Sequence, residues 1–132
     1  MLVLMHRNTD VRDGSKMYFF GRKPDEVWRS IFDGDYDAVA EFDLKATQFT
    51  DEGFHGLLED IFQQTNNIDS NWVDNFSHRD WLCVFNKHVV VKPKLRINKP
   101  TRSTSCDDLI FDTYSGDVWY CDTCGWTNLA TT

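Results

Sequence analysis

Apolar residues along this chain follow two periods, one typical of strands and one typical of helices. Short alternating or continuous apolar runs bounded by turn residues predict strands. Such runs lie at 16–21, 36–44, 81–86, 88–92, 108–113, 118–122 and near 126–129. Residues 1–6 form either a further strand or an ordered extension. Pro93 and Pro100 follow the fourth run, and proline cannot donate to a strand ladder, so this region is expected at a sheet edge or in a loop.

Two segments instead carry apolar residues at helical spacing. The first covers about 24–33, where Pro24 suits the first helical position and Gly34 is expected to end the helix. Its apolar positions are Val27, Trp28, Ile31 and Phe32. The second covers about 51–66 and follows Thr50, a residue type that caps helix N-termini. Its apolar stripe, which predicts a face packed on the core, is Phe54, Leu57, Leu58, Ile61 and Phe62.

The order of these elements predicts an α+β fold. No strand–helix–strand repeat is present, so we expect a mostly antiparallel sheet with two helices. Near the C-terminus, Gly116 lies in a turn at 114–117 between two strands, which predicts a β-hairpin. The length of 132 residues favours a single domain over residues 1–132.

Composition and charge narrow the function classes. Hydrophobic residues make up 41% of the chain and aromatic residues 14%, enough to form a core without disulfides or metal. No apolar run is long enough to span a bilayer, and the N-terminal run MLVLM is too short for a signal peptide. We therefore expect a cytoplasmic protein with no membrane partner. The formal net charge of −7 argues against non-specific nucleic-acid binding. A purely solubilising role of this charge is favoured, and an acidic face for a basic partner is the alternative.

The basic residues concentrate in one segment. Between residues 81 and 106 there are six lysines and arginines and no acidic residue. Residues 87–102 alternate lysine with valine or leucine, which is typical of an exposed edge strand that resists aggregation. The alternative is a phosphate-contacting surface, which would make the protein a small nucleic-acid-binding module.

The cysteines raise the question of a structural zinc site. They are Cys83, Cys106, Cys121 and Cys124. Structural zinc usually takes two closely spaced pairs, and only Cys121 and Cys124 have that spacing, although His78 or His88 would allow a Cys3His set. A redox pair normally lies at a helix N-terminus, whereas the residues around Cys121 predict a strand and a turn. We favour buried thiols and no cofactor, with zinc as the alternative.

No recognisable catalytic set is present in the sequence. GRKPDE has a single glycine, which cannot form the usual phosphate cradle. SHRD at 77–80 lacks the other kinase motifs, and the four histidines show no i, i+4 pair. We therefore expect no enzymatic activity.

Three segments share a further pattern, at 18–43, 57–75 and 102–126. Its residues are Gly21, Arg22, Pro24, Tyr36, Val39, Ala40, Phe62, Thr65, Asn66, Ile68, Asp69, Trp72, Arg102, Ser103, Thr104, Ser105, Asp108, Ile110, Gly125 and Trp126. In this order the segments resemble a family of small, uncharacterised proteins encoded by phages and plasmids. The resemblance covers about residues 17–129, leaves 1–15 outside, and is most specific at TNNID..W and RSTSxxD…GW. The family has no established activity that could be carried over.

The resemblance also has structural implications. The positions of Cys106, Cys121 and Cys124 are usually aliphatic or small in proteins of this pattern, which implies that the fold does not need the thiols as ligands. Cys106 and Asp107 stand where Val-Gly is usual before Asp108. This departure argues against a tight, glycine-type backbone at Asp107.

The motif residues have two interpretations. Arg102, Ser103 and Thr104 begin a polar string that either contacts a ligand or phosphate, or bonds the TNNID turn with Asp69 pairing Arg102. Trp72 is expected to pack beneath that turn.

These observations favour a non-enzymatic phage accessory protein that binds and modulates or inhibits a host protein, such as a defence or nucleic-acid-processing factor. The partner-binding candidates are Asp33, Asp35, Asp37, Trp72, Arg102, Ser103 and Thr104. One alternative is a nucleic-acid-binding module that uses residues 87–102, with or without structural zinc. A third hypothesis is an enzyme with a pocket near Arg102 and Asp69.

Overall fold

The computed structural model describes residues 1–8, 23–67, 71–73, 83–84, 90–91, 93–96, 101–123 and 125–129. Within these residues there are two α-helices and a short 3-10 helix: α1 (Pro24–Phe32), α2 (Asp51–Gln64) and Ala46–Gln48. The strands are β1 (Leu2–Arg7), β2 (Tyr36–Phe42), β3 (Cys83–Val84), β4 (Val90–Val91), β5 (Lys94–Leu95), β6 (Leu109–Asp112), β7 (Val118–Asp122) and β8 (Gly125–Asn128). The predicted run at 16–21 lies outside the described residues.

Six strands form one antiparallel sheet in the order β5–β2–β1–β6–β7–β8, and β3 pairs separately with β4. This arrangement confirms the predicted α+β fold with a C-terminal hairpin. The first residues of the chain are not a peripheral extension, because β1 lies in the middle of the sheet between β2 and β6. Pro93 immediately precedes β5, and β5 lies at one end of the sheet order, as expected for a strand that follows proline.

Local sequence signals explain both helices. Pro24 occupies the first turn of α1, and Gly34 ends the helix with a φ of +79°. The N–H of Gly34 donates to Ile31 O, and the N–H of Asp35 donates to Ser30 O, the two bonds of a Schellman motif. For α2, Thr50 Oγ1 accepts a hydrogen bond from the N–H of Gly53 at 3.0 Å.

The helices cover opposite faces of the sheet. On one face, Leu58 and Ile61 of α2 pack with Leu2 and Leu4 of β1 and with Ile110 of β6. A second cluster lies on the other face and contains Val27 of α1. Val27 packs there with residues of β2, β6 and β7 and with the residue that follows β8: Tyr36, Leu109, Val118, Tyr120 and Leu129. Among the described residues, no helix has the length and hydropathy needed to cross a membrane.

The apolar positions of α1 are not all buried. Phe32, one of the four apolar positions of the first predicted helix, has a side chain that is 83% exposed. The nine-residue helix α1 turns Val27 and Ser30 toward the sheet, and these are its buried residues. Phe32 lies on the last turn, away from that line of contact. This leaves a large apolar side chain in water.

Candidate functional site

Polar side chains are buried where β1 ends and the segment 101–108 enters β6. We call this group the β1 polar cluster. Its members are His6, Arg7, Thr65, Arg102, Thr104, Asp107 and Asp108. All except Arg102 are buried, with exposed fractions between 0% and 8%. Because buried polar groups destabilise a fold unless they are hydrogen-bonded, the bonding of this cluster decides what it does.

Asp108 is the centre of the cluster. Its carboxylate accepts hydrogen bonds from the N–H of Arg7 at 2.9 Å and from the N–H of Ser105 at 2.8 Å. The guanidinium of Arg102 donates to both carboxylate oxygens, at 2.6 and 2.7 Å. Such a bidentate pair with two further donors offsets the cost of removing the carboxylate from water.

Asp107 has a backbone φ of +81°, in the left-handed region that favours glycine. The expectation that an aspartate here excludes a glycine-type conformation was therefore wrong. The Asp107 side chain explains why, because its carboxylate pairs with Arg7 and accepts a 2.8 Å hydrogen bond from Tyr120 Oη. The Asp107 carbonyl also accepts from Tyr36 Oη at 2.8 Å. Aspartate tolerates this backbone region better than most residues, and these contacts hold it there.

His6 and Thr104 form a hydroxyl–imidazole contact of the kind found in nucleophilic enzymes. His6 Nε2 lies 2.8 Å from Thr104 Oγ1 and 3.9 Å from the nearer carboxylate oxygen of Asp108. A catalytic relay needs the nucleophile on one ring nitrogen and the carboxylate on the other. Here both partners lie at Nε2, and Thr104 is 1% exposed. The geometry fits an internal hydrogen-bond network and gives a substrate no access to the hydroxyl.

The polar string predicted from the sequence connects to the end of α2. Thr104 donates its N–H to Thr65 O at 2.9 Å, and Ser103 Oγ accepts from the N–H of Asn67 at 2.7 Å. The side chain of Trp72, 0% exposed, donates its Nε1–H to Arg102 O at 2.9 Å. The structure thus brings the two most specific sequence motifs together as packing partners. Asp69, predicted to pair with Arg102, lies outside the described residues, and Asp108 is the carboxylate bonded to Arg102.

These positions separate the partner-binding candidates into two sets. Trp72 and Thr104 are interior residues and cannot contact a partner in this conformation. Arg102 and Ser103 are half-buried and engaged with their own chain. The acidic candidates differ: Asp33 and Asp37 are exposed and Asp35 is half-buried.

The cysteines that the structure describes have no metal-site geometry. Cys121 is a buried free thiol on β7, and Cys106 is a half-buried free thiol. Burial, followed by the proximity of Cys106, Asp108 and Glu59, raises the pKa of the Cys121 thiol well above its usual range. Cys124 and the side chain of Cys83 lie outside the description. Among the described residues, no three His, Cys, Asp or Glu side chains cluster as metal ligands would.

The basic segment is described only in part. At residues 93–96, Lys94 is exposed, and Arg96 forms an ion pair with the buried Glu41 of β2. Arg96 thus pairs with a residue of the neighbouring strand β2, which fits the predicted role of this segment as an edge strand. Lys87, Lys92 and Lys99 lie outside the described residues.

The exposed surface at the end of α1 combines apolar and acidic groups. We call it the Phe32 patch, and its residues are Trp28, Phe32, Asp33, Asp35 and Asp37. The rings of Trp28 and Phe32 lie 6.4 Å apart at an interplanar angle of 32°. The three acids are partner-binding candidates of the sequence, whereas Trp28 and Phe32 were given only as apolar positions of the helix. Trp28 is half-buried and packs against the Val27 cluster, so Phe32 is the exposed aromatic residue of the patch. The shortness of α1, which limits how many of its apolar residues the sheet can bury, is the signal that would have identified Phe32.

Comparison with protein-family models, curated proteins and solved structures finds no match to this chain. The resemblance to phage- and plasmid-encoded proteins therefore stays a prediction. The molecule itself presents a contrast between an internally bonded polar cluster and a surface that carries an exposed aromatic residue and acids.

Proposed function

We propose that this protein is a non-enzymatic binding protein that uses the Phe32 patch to dock on a basic surface of another protein. The observation that carries the proposal is the 83% exposure of Phe32 beside Asp33, Asp35 and Asp37. Aromatic side chains are the commonest anchors of protein interfaces, and burying a phenylalanine contributes about 1.5–3 kcal/mol. The fitting partner has an apolar pocket rimmed by lysine or arginine.

The acids around Phe32 orient the partner so that its basic residues face them. Complementary charge accelerates encounter and rejects partners of the wrong sign more than it adds affinity. The whole chain, with a net charge of −7, contributes to the same field. A nucleic-acid-binding surface on the partner is one basic target that such a patch would cover.

The backbone under the patch is held in place before binding. The Schellman motif at Gly34 fixes the turn that carries Asp33 and Asp35. The N–H of Asn8 donates to Asp35 O at 2.6 Å, and the Asn8 amide contacts Asp37 Oδ2 at 3.4 Å. A surface that is already ordered loses less conformational entropy on association, so more of its contact energy appears as affinity.

The predicted phage origin gives this proposal its biological setting. A phage accessory protein acts in the cytoplasm of an infected bacterium, where it modulates or inhibits a host defence or nucleic-acid-processing factor. Blocking such a factor requires a surface and no catalytic chemistry. The net negative charge and the Phe32 patch supply that kind of surface.

The first test is capture of partners from bacterial lysate with the tagged protein, with and without nuclease, followed by mass spectrometry. We expect one host protein to be retained after nuclease treatment. Phe32→Ala should then weaken its purified complex by at least about tenfold, the usual size of an anchor effect. Tyr114→Ala is the matched control, because Tyr114 is an exposed aromatic residue at 66% that lies outside the patch.

The acids are tested separately. Asp33→Asn together with Asp37→Asn should lower the association rate and reduce its dependence on salt. Glu52→Gln with Glu59→Gln removes two exposed charges from α2, on the other face of the sheet. This double variant should leave the association rate and its salt dependence largely unchanged. If the two pairs of substitutions have equal effects, binding depends on the overall negative charge of the protein and not on the acids of the Phe32 patch. Partners that disappear with nuclease would instead support the nucleic-acid-binding module.

A further inference from the structure

A groove lies on the sheet face opposite to the Phe32 patch. It encloses about 540 Å³ between the start of α2 and strands β7 and β8. Its main lining residues are Asp51, Phe54, His55, Asp117, Trp119 and Trp126. The groove shares no residue with the Phe32 patch. Its volume is within the range of pockets that hold small organic molecules.

Aromatic rings form the walls of the groove. Trp119 makes edge-to-face contacts with Phe54 and with His55, each at 5.2 Å between ring centroids. The strand register explains why the two indoles share one face of the sheet: Trp119 is opposite Asn128, and Trp126 is opposite Cys121. Residues offset in this way on adjacent antiparallel strands project from the same side and lie diagonally to each other.

The charged residues that line the described part of the groove are acidic. They are Asp51 and Asp117, and no lysine or arginine is among the described lining residues. Lys45, next to the lining residue Ala46, has its ammonium over the ring of Tyr114, 5.0 Å from the centroid. Carboxylates attract a cation, and indole faces stabilise it further through their quadrupole.

We propose that this groove binds a small organic cation, with an ammonium or guanidinium head on an apolar body. The apolar body packs mainly against the half-buried indole of Trp119, with Trp126, which is 7% exposed, contributing the little of its surface that lines the groove, and the head faces Asp51 and Asp117. The site is independent of the Phe32 patch, so its success or failure leaves the docking proposal untouched.

The test uses three near-isosteric probes that differ in charge: benzylamine as cation, benzyl alcohol as neutral molecule and benzoate as anion. Each is titrated into the ¹⁵N-labelled full chain, and the indole N–H signals of Trp119 and Trp126 are followed by NMR. We expect benzylamine to shift both signals with an affinity at least about tenfold above benzyl alcohol, and benzoate not to bind. N-acetylargininamide distinguishes the source of the cation, because tighter binding than benzylamine would identify a polypeptide arginine as the ligand.

Variants assign the binding to the groove. Asp51→Asn with Asp117→Asn should weaken benzylamine about tenfold while the affinity for benzyl alcohol changes little. Asp33→Asn with Asp37→Asn removes two acids from the other face and should have no effect. Signals outside the groove report whether each variant keeps its fold. Benzyl alcohol binding as well as benzylamine, no response to any probe, or equal effects of the two double variants would each overturn the proposal.

Discussion

Two groups of aspartates in this molecule have opposite environments. Asp107 and Asp108 are fully buried, and every oxygen of Asp108 is bonded to a donor of its own chain. Asp33 and Asp37 are exposed beside Phe32, the most exposed large apolar side chain among the described residues. The same residue type thus serves the fold in one place and is available to a partner in the other. What separates the two roles is whether arginines and backbone N–H groups converge on the carboxylate.

Asp108→Ala should have the largest effect on this comparison, lowering the free energy of unfolding by about 3–5 kcal/mol. The substitution leaves the Arg102 guanidinium and the N–H groups of Arg7 and Ser105 without their acceptor. Chemical denaturation at pH 7 measures the loss. Asp33→Ala, at an exposed position, is the control and should change stability by no more than about 0.5 kcal/mol. Similar losses for both variants would remove the distinction between the two groups.

Thr104→Val tests whether the uncharged hydrogen bonds of the β1 polar cluster contribute as much to the free energy of unfolding as its charged ones. Valine keeps the shape but removes the hydroxyl that contacts His6 and Thr65, so we expect a loss of about 1–3 kcal/mol. The same denaturation experiment applies. Thr127→Val on β8, a half-buried position, should stay within about 0.5 kcal/mol of the wild type. A neutral result at Thr104 would show that the charged contacts of the cluster hold it together without the Thr104 hydroxyl.

Cys121 extends the comparison to a buried thiol. Its pKa is raised in the folded protein, mainly by burial, whereas an unfolded cysteine ionises near about pH 8.5. The unfolded state therefore loses its proton first, and stability should fall as pH rises above about 8.5, by up to about 1.4 kcal/mol per pH unit from this group. Below that pH the thiol is protonated in both states and contributes no slope.

The measurement is the free energy of unfolding between pH 7 and pH 10 under reducing conditions. Cys121→Ala should flatten the alkaline decline, whatever its effect at pH 7. The other cysteines are present in both proteins, so their titration cancels when the pH slope of the variant is subtracted from that of the wild type. An identical slope in the variant would mean that the folded protein exposes the Cys121 thiolate to water.

The smallest expected effect is a difference in stability between two variants at position 107, and it reports specifically on the backbone. Asp107→Gly and Asp107→Ala lose the same contacts to Arg7 and Tyr120, so the difference between them isolates the backbone. At a φ of +81° alanine is strained, and the glycine variant should be more stable by about 1 kcal/mol. Ordinary strand or helix positions show the reverse order. Alanine being equal or better would show that the segment relaxes out of the left-handed conformation.

Part of the β1 polar cluster could be predicted from the sequence, because Thr65, Arg102 and Thr104 lie in local motifs. The structure shows these two segments bonded to each other, which is one of the two interpretations that the sequence left open. His6 and Arg7 were missed, since both lie outside the motifs, and Arg7 precedes Asp108 by 101 residues in the chain. The groove was missed for a similar reason, because Phe54 and Trp119 come from different elements.

The sequence by itself determined the two described helices and the fold class, because helix caps, turn glycines and apolar periods act over a few residues. It located α1 and α2 to within about two residues and anticipated the C-terminal hairpin. Only the tertiary structure decided which charges are buried and which aromatic residues stay in water. It placed β1 in the centre of the sheet, closed Arg7 and Arg102 over the two buried aspartates, and left Phe32 exposed. Burial depends on contacts between segments distant in sequence, and these contacts have no local period.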